Sequence, residues 1–213
     1  MQRLTTALLD AHLLCRDALR AALEAEGSIE VVGVGASGQD AMRLIETARP
    51  RVALLDLDLP GRTPFDVAES CRSAGFATSI VILAPSPSDC HIDMAMDAGV
   101  AGYILKDEPL VKAMEAIKLI GQGQLYFSPA VEARLKRASG EERGSTPLTH
   151  LSRREKEVLI HLARGMSVKE VATELKLSRK TIDNHTQRLM AKLDIHSRAD
   201  LVRYAIRERL IEA

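Results

Sequence analysis

No stretch of this chain approaches the roughly 18 consecutive apolar residues needed to cross a bilayer. The N-terminus also lacks a signal-peptide pattern. A membrane-spanning or exported protein is therefore not the starting expectation; a cytoplasmic one is. Paired cysteines are missing too. Cys15, Cys71 and Cys90 are odd in number and show no metal-ligand spacing, which fits reduced thiols. There is no internal repeat and no low-complexity tract. Nor is there any net charge: 29 Lys+Arg balance 29 Asp+Glu, which taken alone argues against a nucleic-acid partner.

The neutrality hides two opposite halves. Residues 1–127 hold 11 Lys+Arg against 17 Asp+Glu, a net −6; residues 128–213 hold 18 against 12, a net +6. With 213 residues, 46% of them hydrophobic, the chain can bury one large core or two smaller ones. Two domains with different partners are the natural expectation.

In the acidic half, apolar runs alternate with helical patterns. Strands are expected at 4–9, 29–35, 52–57, 79–83 and 102–105, and helices at 12–25, 38–48, 64–74, 88–98 and 108–121. Five such units predict an α/β fold with a five-stranded parallel, doubly wound sheet, whose function lies at the carboxyl ends of the strands. Asp10, Asp56 and Asp58 fall at such ends, and Lys106 closes the fifth strand. Acids often end strands as ordinary loop residues or caps. Three carboxylates and a lysine around one rim form a more pointed set, able to hold Mg²⁺ and support phosphoryl transfer to a carboxylate.

The motifs LLDAH, LLDLDLPG and AGYILKDEP resemble the receiver domain of two-component response regulators, over roughly residues 3–122. The resemblance implies that Asp56 is the phosphoacceptor, Asp10 one of an acidic pair, and Lys106 the lysine that contacts the acyl phosphate. It further implies a histidine kinase as phosphate source, a metal faced by the backbone carbonyl of Asp58, and Tyr103 as the aromatic switch residue. Three positions depart from the pattern: Ala11 replaces the second acid, Ala84 the hydroxyl residue ending the fourth strand, and Pro64 the usual glycine. Ala11 removes charge that helps hold a hard cation, and Ala84 leaves no hydroxyl to convert phosphorylation into loop movement. Asp56 is then expected to pair with Lys106. The expectation is a degenerate receiver: no cofactor required, Mg²⁺ held weakly if at all by Asp10, Asp56 and Asp58, and an impaired phosphate switch. The alternative is a conventional regulator phosphorylated at Asp56, with Asp58 compensating for Ala11. A remoter alternative starts from Asp56-Leu57-Asp58, which resembles the DxD motif of haloacid-dehalogenase-type phosphatases. Its placement on the third strand, with no acidic pair after the fourth, departs from that family.

Between the halves, Ser128 and Pro129 signal a short helix over 130–138, and 139–147 (SGEERGSTP) reads as a flexible linker. The expected organisation is a receiver-like domain at 1–127, a linker helix and linker at 128–147, and a DNA-binding domain at 148–213.

The basic half contains four short helices with their own start signals. Ser152 with Glu155, Ser167 with Glu170, and Ser197 with Asp200 match the capping box, and Ser178 caps the third helix. In that helix, 178–193, Ile182, His185, Leu189 and Leu193 form an apolar stripe. The other side mixes cations with amide and carboxylate groups able to read base edges. Polar residues opposite an apolar stripe also describe an ordinary surface helix. The short turn 175–178 before it is what favours a helix-turn-helix. The motifs LSRREKEVLIHLARGMSVKEVATELKLS and KTIDNHTQRLMAKLDIHSRADLVRYAI resemble the NarL/FixJ/LuxR type of DNA-binding domain along 148–210. The resemblance implies double-stranded DNA as partner, with Asp183, Asn184 and Gln187 reading bases and Lys169, Arg179, Lys180, Thr181, Arg188 and Lys192 contacting phosphates. It implies a transcription regulator rather than an enzyme. A homodimer is expected, because one helix buries too little surface for tight specific binding; Ile206 and Leu210 are candidate contacts. His185 reads as a packed or phosphate-facing residue rather than a metal ligand, His91, His150, His161 and His196 offer no convincing ligand set, and a thiol switch at Cys90 is a further alternative.

Overall fold

The computed structural model describes residues 3–139, 147–208 and 210–211. The expected linker at 139–147 lies almost wholly outside them. The described residues form two compact units, 3–86 with 95–132 and 87–94 with 133–139, 147–208 and 210–211.

The first unit is built on β1 (Leu4–Leu9), β2 (Ile29–Gly35), β3 (Val52–Asp56), β4 (Ser79–Ala84), β5 (Gly102–Leu105) and β6 (Tyr126–Phe127). Helices α1 (Leu13–Ala25), α2 (Gly38–Ala48), α3 (Pro64–Ser73), α4 (Asp89–Ala98) and α5 (Leu110–Gly121) follow the first five strands in turn, with residues 89–94 of α4 assigned to the second unit. The strand order is β2-β1-β3-β4-β5-β6 with every pairing parallel. Six strands replace the five expected. The extra one pairs Tyr126 with Gly102 and Phe127 with Tyr103, and two residues are too few to show an alternating pattern.

The central strands read as continuous apolar runs because both faces are covered. Leu8, Leu54, Val81 and Ile104 meet Leu23, Ile117 and Ile120 in one core, each side chain contributing about 1.5–3 kcal/mol by leaving water. The chain steps from β1 outward to β2, then back across to β3. This reversal opens a crevice at the carboxyl ends of β1 and β3, where Asp10 follows one strand and Asp56 ends the other. Pro64 takes the first turn of α3, where a missing N–H costs nothing, and the Thr63 hydroxyl caps the helix by accepting from the Asp66 amide.

A further helix, α6 (Pro129–Ser139), leaves the sheet edge. The second unit then contains a 3₁₀ turn (Pro147–His150) and helices α7 (Arg153–Ala163), α8 (Val168–Glu174), α9 (Arg179–Leu193) and α10 (Arg198–Arg207). Ser152/Glu155 and Ser167/Glu170 form complete capping boxes. At α10 the Ser197 hydroxyl accepts from the Asp200 amide and donates to its carboxylate; aspartate is one methylene shorter than glutamate. Gly165, at φ +93°, turns the chain out of α7 in the left-handed region. Val158, Leu159, Leu162, Val171, Ala172, Ile182, Leu189, Leu201 and Ala205 form the buried side of these helices. Arg198 locks the end of α7 by donating to the carbonyls of Leu162 and Met166 at 3.1 and 2.6 Å.

Candidate functional site

Two sites emerge, one in each unit. In the first, Asp10 and Asp56 are only 2% and 1% exposed, facing each other at the crevice. The Lys106 ammonium bridges them, 2.9 Å from Asp10 Oδ2 and 3.0 Å from Asp56 Oδ1. Lys106 reaches there because β5 runs beside β4 and its backbone N–H continues the ladder, donating to the Ala84 carbonyl at 2.8 Å. Ala84 itself is fully buried and presents only a methyl group.

The remaining carboxylate oxygens turn toward His12, whose Nδ1 lies 3.2 Å from Asp10 Oδ1 and 3.7 Å from Asp56 Oδ2. The His12 backbone N–H also donates to Asp10 Oδ1 at 2.8 Å. Asp56 Oδ2 is buried without a hydrogen-bond donor among the described residues. His12 was not singled out in the sequence. The signal was nevertheless present in LLDAH, where the imidazole stands two residues beyond a strand-end acid.

These contacts set the charge states. Burial pushes both carboxyls up. At Asp10 the Lys106 hydrogen bond and the His12 amide outweigh burial, and the group sits below its ordinary range. At Asp56 burial outweighs Lys106, with the neighbouring carboxylates adding to it, and the group sits above its ordinary range. Burial pulls Lys106 down, but hydrogen bonds to both acids more than restore it, so the ammonium is held charged.

Asp58 is exposed, and its carboxylate is not part of the close cluster of ligand atoms from Asp10, His12 and Asp56. The strand ends read as three carboxylates and a lysine; the close set is two carboxylates, an ammonium and an imidazole, and the resemblance asks only the backbone carbonyl of Asp58 to face a metal. Tyr103 is wholly buried. Cys90 is buried as well, and burial pushes its thiol up to about 12, far from a reactive thiolate at neutral pH.

The second site is the outer side of α9. Arg179, Lys180, Asp183, Asn184, Gln187 and Arg188 are exposed, while Ile182, Leu189 and Leu193 are buried on the opposite side. His185 and Thr181 are half-buried between them, and the Thr181 hydroxyl lies 2.7 Å from that of Ser178. Lys169 is exposed on α8. Lys192 stands apart, because its ammonium reaches Glu155 Oε2 at 2.6 Å. Ile206 is 38% exposed on α10, whereas Leu210 is 2% exposed and so is not on the surface as a dimer contact. Its backbone N–H donates to the Ala205 carbonyl, folding the chain back onto the helix.

A parallel sheet with acids and a lysine at its switch point, in one chain with a capped helix-turn-helix, defines a receiver joined to a DNA-binding domain. Comparison with known proteins agrees. Residues 7–118 match the response regulator receiver domain, and residues 149–205 match the bacterial regulatory proteins of the luxR family. The NarL transcriptional regulatory protein of Mycobacterium tuberculosis is 34% identical over 205 residues, covering 95% of this chain and 94% of that one. The transcriptional regulatory protein DesR of Bacillus subtilis is 33% identical over 185 residues, 87% of each chain. Among solved structures, RcsB of Salmonella typhimurium shares the fold at TM-score 0.78 and 22% identity, over 96% of this chain and 97% of that one. The chain belongs to the NarL/LuxR-type response regulators, which are DNA-binding transcription regulators.

Proposed function

We propose that this regulator binds its operator as a homodimer in the cytoplasm without using Asp56 as a phosphate switch. The observation that carries this reading is the Lys106 ammonium already seated between Asp10 and Asp56. Phosphorylation of a receiver aspartate requires a metal to neutralise the incoming phosphoryl charge. Here Ala11 takes away one acid, and an ammonium occupies two of the remaining carboxylate oxygens. The readout is blunted as well. In a switching receiver, a hydroxyl at the end of β4 closes on the phosphoryl group and vacates space for the aromatic on β5. Ala84 has no hydroxyl to move, and Tyr103 is buried without that movement.

The chain is a regulator rather than an enzyme. On DNA, α9 enters the major groove. Asn184 and Gln187 present amides to base edges, Asn184 favouring adenine, and Lys169, Arg179, Lys180 and Arg188 neutralise phosphates. Thr181 supports the end of that helix. Lys192 contributes less, because Glu155 already holds it. Asp183 has no ion pair with Arg179 or Arg188 among the described residues, which leaves it free to accept from cytosine N4. The dimer uses α10 with Ile206 at its contact.

Operator binding by the wild type and Asp56→Asn, each with and without a small phosphodonor and Mg²⁺, tests this. Indistinguishable affinities support it. Stoichiometric modification of the wild type with tighter DNA binding overturns it in favour of a conventional regulator served by a histidine kinase.

A further inference from the structure

The same pocket carries a ligand chemistry that neither a phosphate switch nor its loss requires. Its four carboxylate oxygens divide into two pairs. Asp10 Oδ2 and Asp56 Oδ1 face the Lys106 ammonium, whereas Asp10 Oδ1 and Asp56 Oδ2 face the His12 ring. Asp10, His12 and Asp56 each offer one ligand atom, all within 4.8 Å of one another. Asp56 is 1% exposed, and its Oδ2 has no hydrogen-bond donor among the described residues. A buried carboxylate oxygen left in this way is destabilising unless something electropositive approaches it. The His12 side chain is 67% exposed, so the third face of the cluster opens to water.

From this geometry we propose that Asp10, His12 and Asp56 bind a divalent transition ion of the Zn²⁺ class. Two carboxylate oxygens and one imidazole nitrogen are the donors such ions prefer. Mg²⁺ prefers oxygen alone and near-ideal octahedral surroundings. Lys106 remains on the outer pair of oxygens, where its positive charge compensates part of the carboxylate charge and fixes both groups for coordination. Three protein ligands with one open side leave positions for water or an exogenous anion, as in open rather than structural zinc sites. The substitution at position 11 and the imidazole at position 12 then act together: losing an acid weakens the hold on a hard cation, and the neighbouring nitrogen supplies a softer donor. The proposal rests on the reading that Mg²⁺ is poorly held here.

The test is titration of the full metal-free chain with Co²⁺, followed by its visible absorption, with Zn²⁺ and Mg²⁺ as competitors. A saturable one-to-one site is expected, with Zn²⁺ displacing Co²⁺ and millimolar Mg²⁺ failing to do so. His12→Ala should weaken Co²⁺ binding by at least about 10–100-fold, the loss seen even for partners outside the ligand sphere. Because His12 is mostly exposed, this variant should fold; an unchanged far-ultraviolet spectrum and unfolding midpoint verify that. Equal Co²⁺ binding by wild type and His12→Ala, or no binding by either, overturns the site. Tight Mg²⁺ binding measured separately by calorimetry would instead sink the reading of the phosphate pocket, leaving the Co²⁺ difference to judge this one.

Discussion

In the strand-end pocket, two carboxylates, an ammonium and an imidazole crowd within a few ångströms of one another. Along α9, by contrast, Arg179, Lys180 and Arg188 have no carboxylate within ion-pair distance among the described residues. The first arrangement spends its charges internally, where low dielectric makes each contact strong and each removal expensive. The second leaves its charges in water, where they add little to stability and are available to a polyanion. A buried charge set therefore reports on folding and local ligands, and an exposed one on distant partners. Overall neutrality conceals both.

The sharpest way to break this contrast is to remove the bridging ammonium. Lys106→Ala should destabilise the receiver by on the order of 3 kcal/mol, the low end for a buried pair that loses one partner, because Asp56 can take up a proton. Urea unfolding of the full chain measures this; an unchanged midpoint would mean the pocket is solvated after all.

Next comes Glu155, which both completes the α7 capping box and receives Lys192. Glu155→Ala should cost about 2 kcal/mol for the lost cap and charged hydrogen bond. Burial pushes the Glu155 carboxyl up, but the Lys192 bond and the Ser152 amide outweigh it and hold the group below its ordinary range. Its contribution is then complete above the usual glutamate range and disappears as pH falls through the lowered value. Unfolding midpoints should decline on acidification in the wild type, with that share of the decline missing in Glu155→Gln. Identical acid profiles would show the pair contributes nothing.

On the exposed side the effects move from folding to recognition. Asn184→Ala should relax discrimination at one base pair by roughly 1–3 kcal/mol while leaving the unfolding midpoint alone. Equal discrimination among operator variants would place the base-reading positions elsewhere. Arg188→Ala should weaken all sequences alike and reduce the salt slope of binding by about one. Selective loss for one operator variant would instead mark it as a base reader. The smallest expected effect is at Asp56: Asp56→Asn should leave operator affinity unchanged with or without a phosphodonor.

The sequence exposed the elements whose signals are local. Strands 4–9, 29–35 and 102–105 and the helix at 38–48 end where expected, because apolar runs and caps mark them within a few residues. What it hid depends on contacts between distant segments. Lys192, a candidate phosphate contact by sequence, also has an ion pair that no local signal shows, with a glutamate 37 residues away. His12 reads as the start of a helix until strand order brings β3 alongside β1. Leu210 reads as an exposed contact until the chain after α10 folds back. The sixth strand escaped for the opposite reason: it is too short to have a pattern, and only the open edge of β5 recruits it.

That short strand leads into Ser128, whose buried hydroxyl accepts from the backbone N–H of Leu105 at 2.9 Å, one residue before Lys106. The rung ties the stem of the lysine to the point where the polypeptide departs the sheet. The backbone that carries the lysine and the point where the outgoing chain begins therefore share one buried hydrogen bond, which Ser128→Ala would remove without touching either acid.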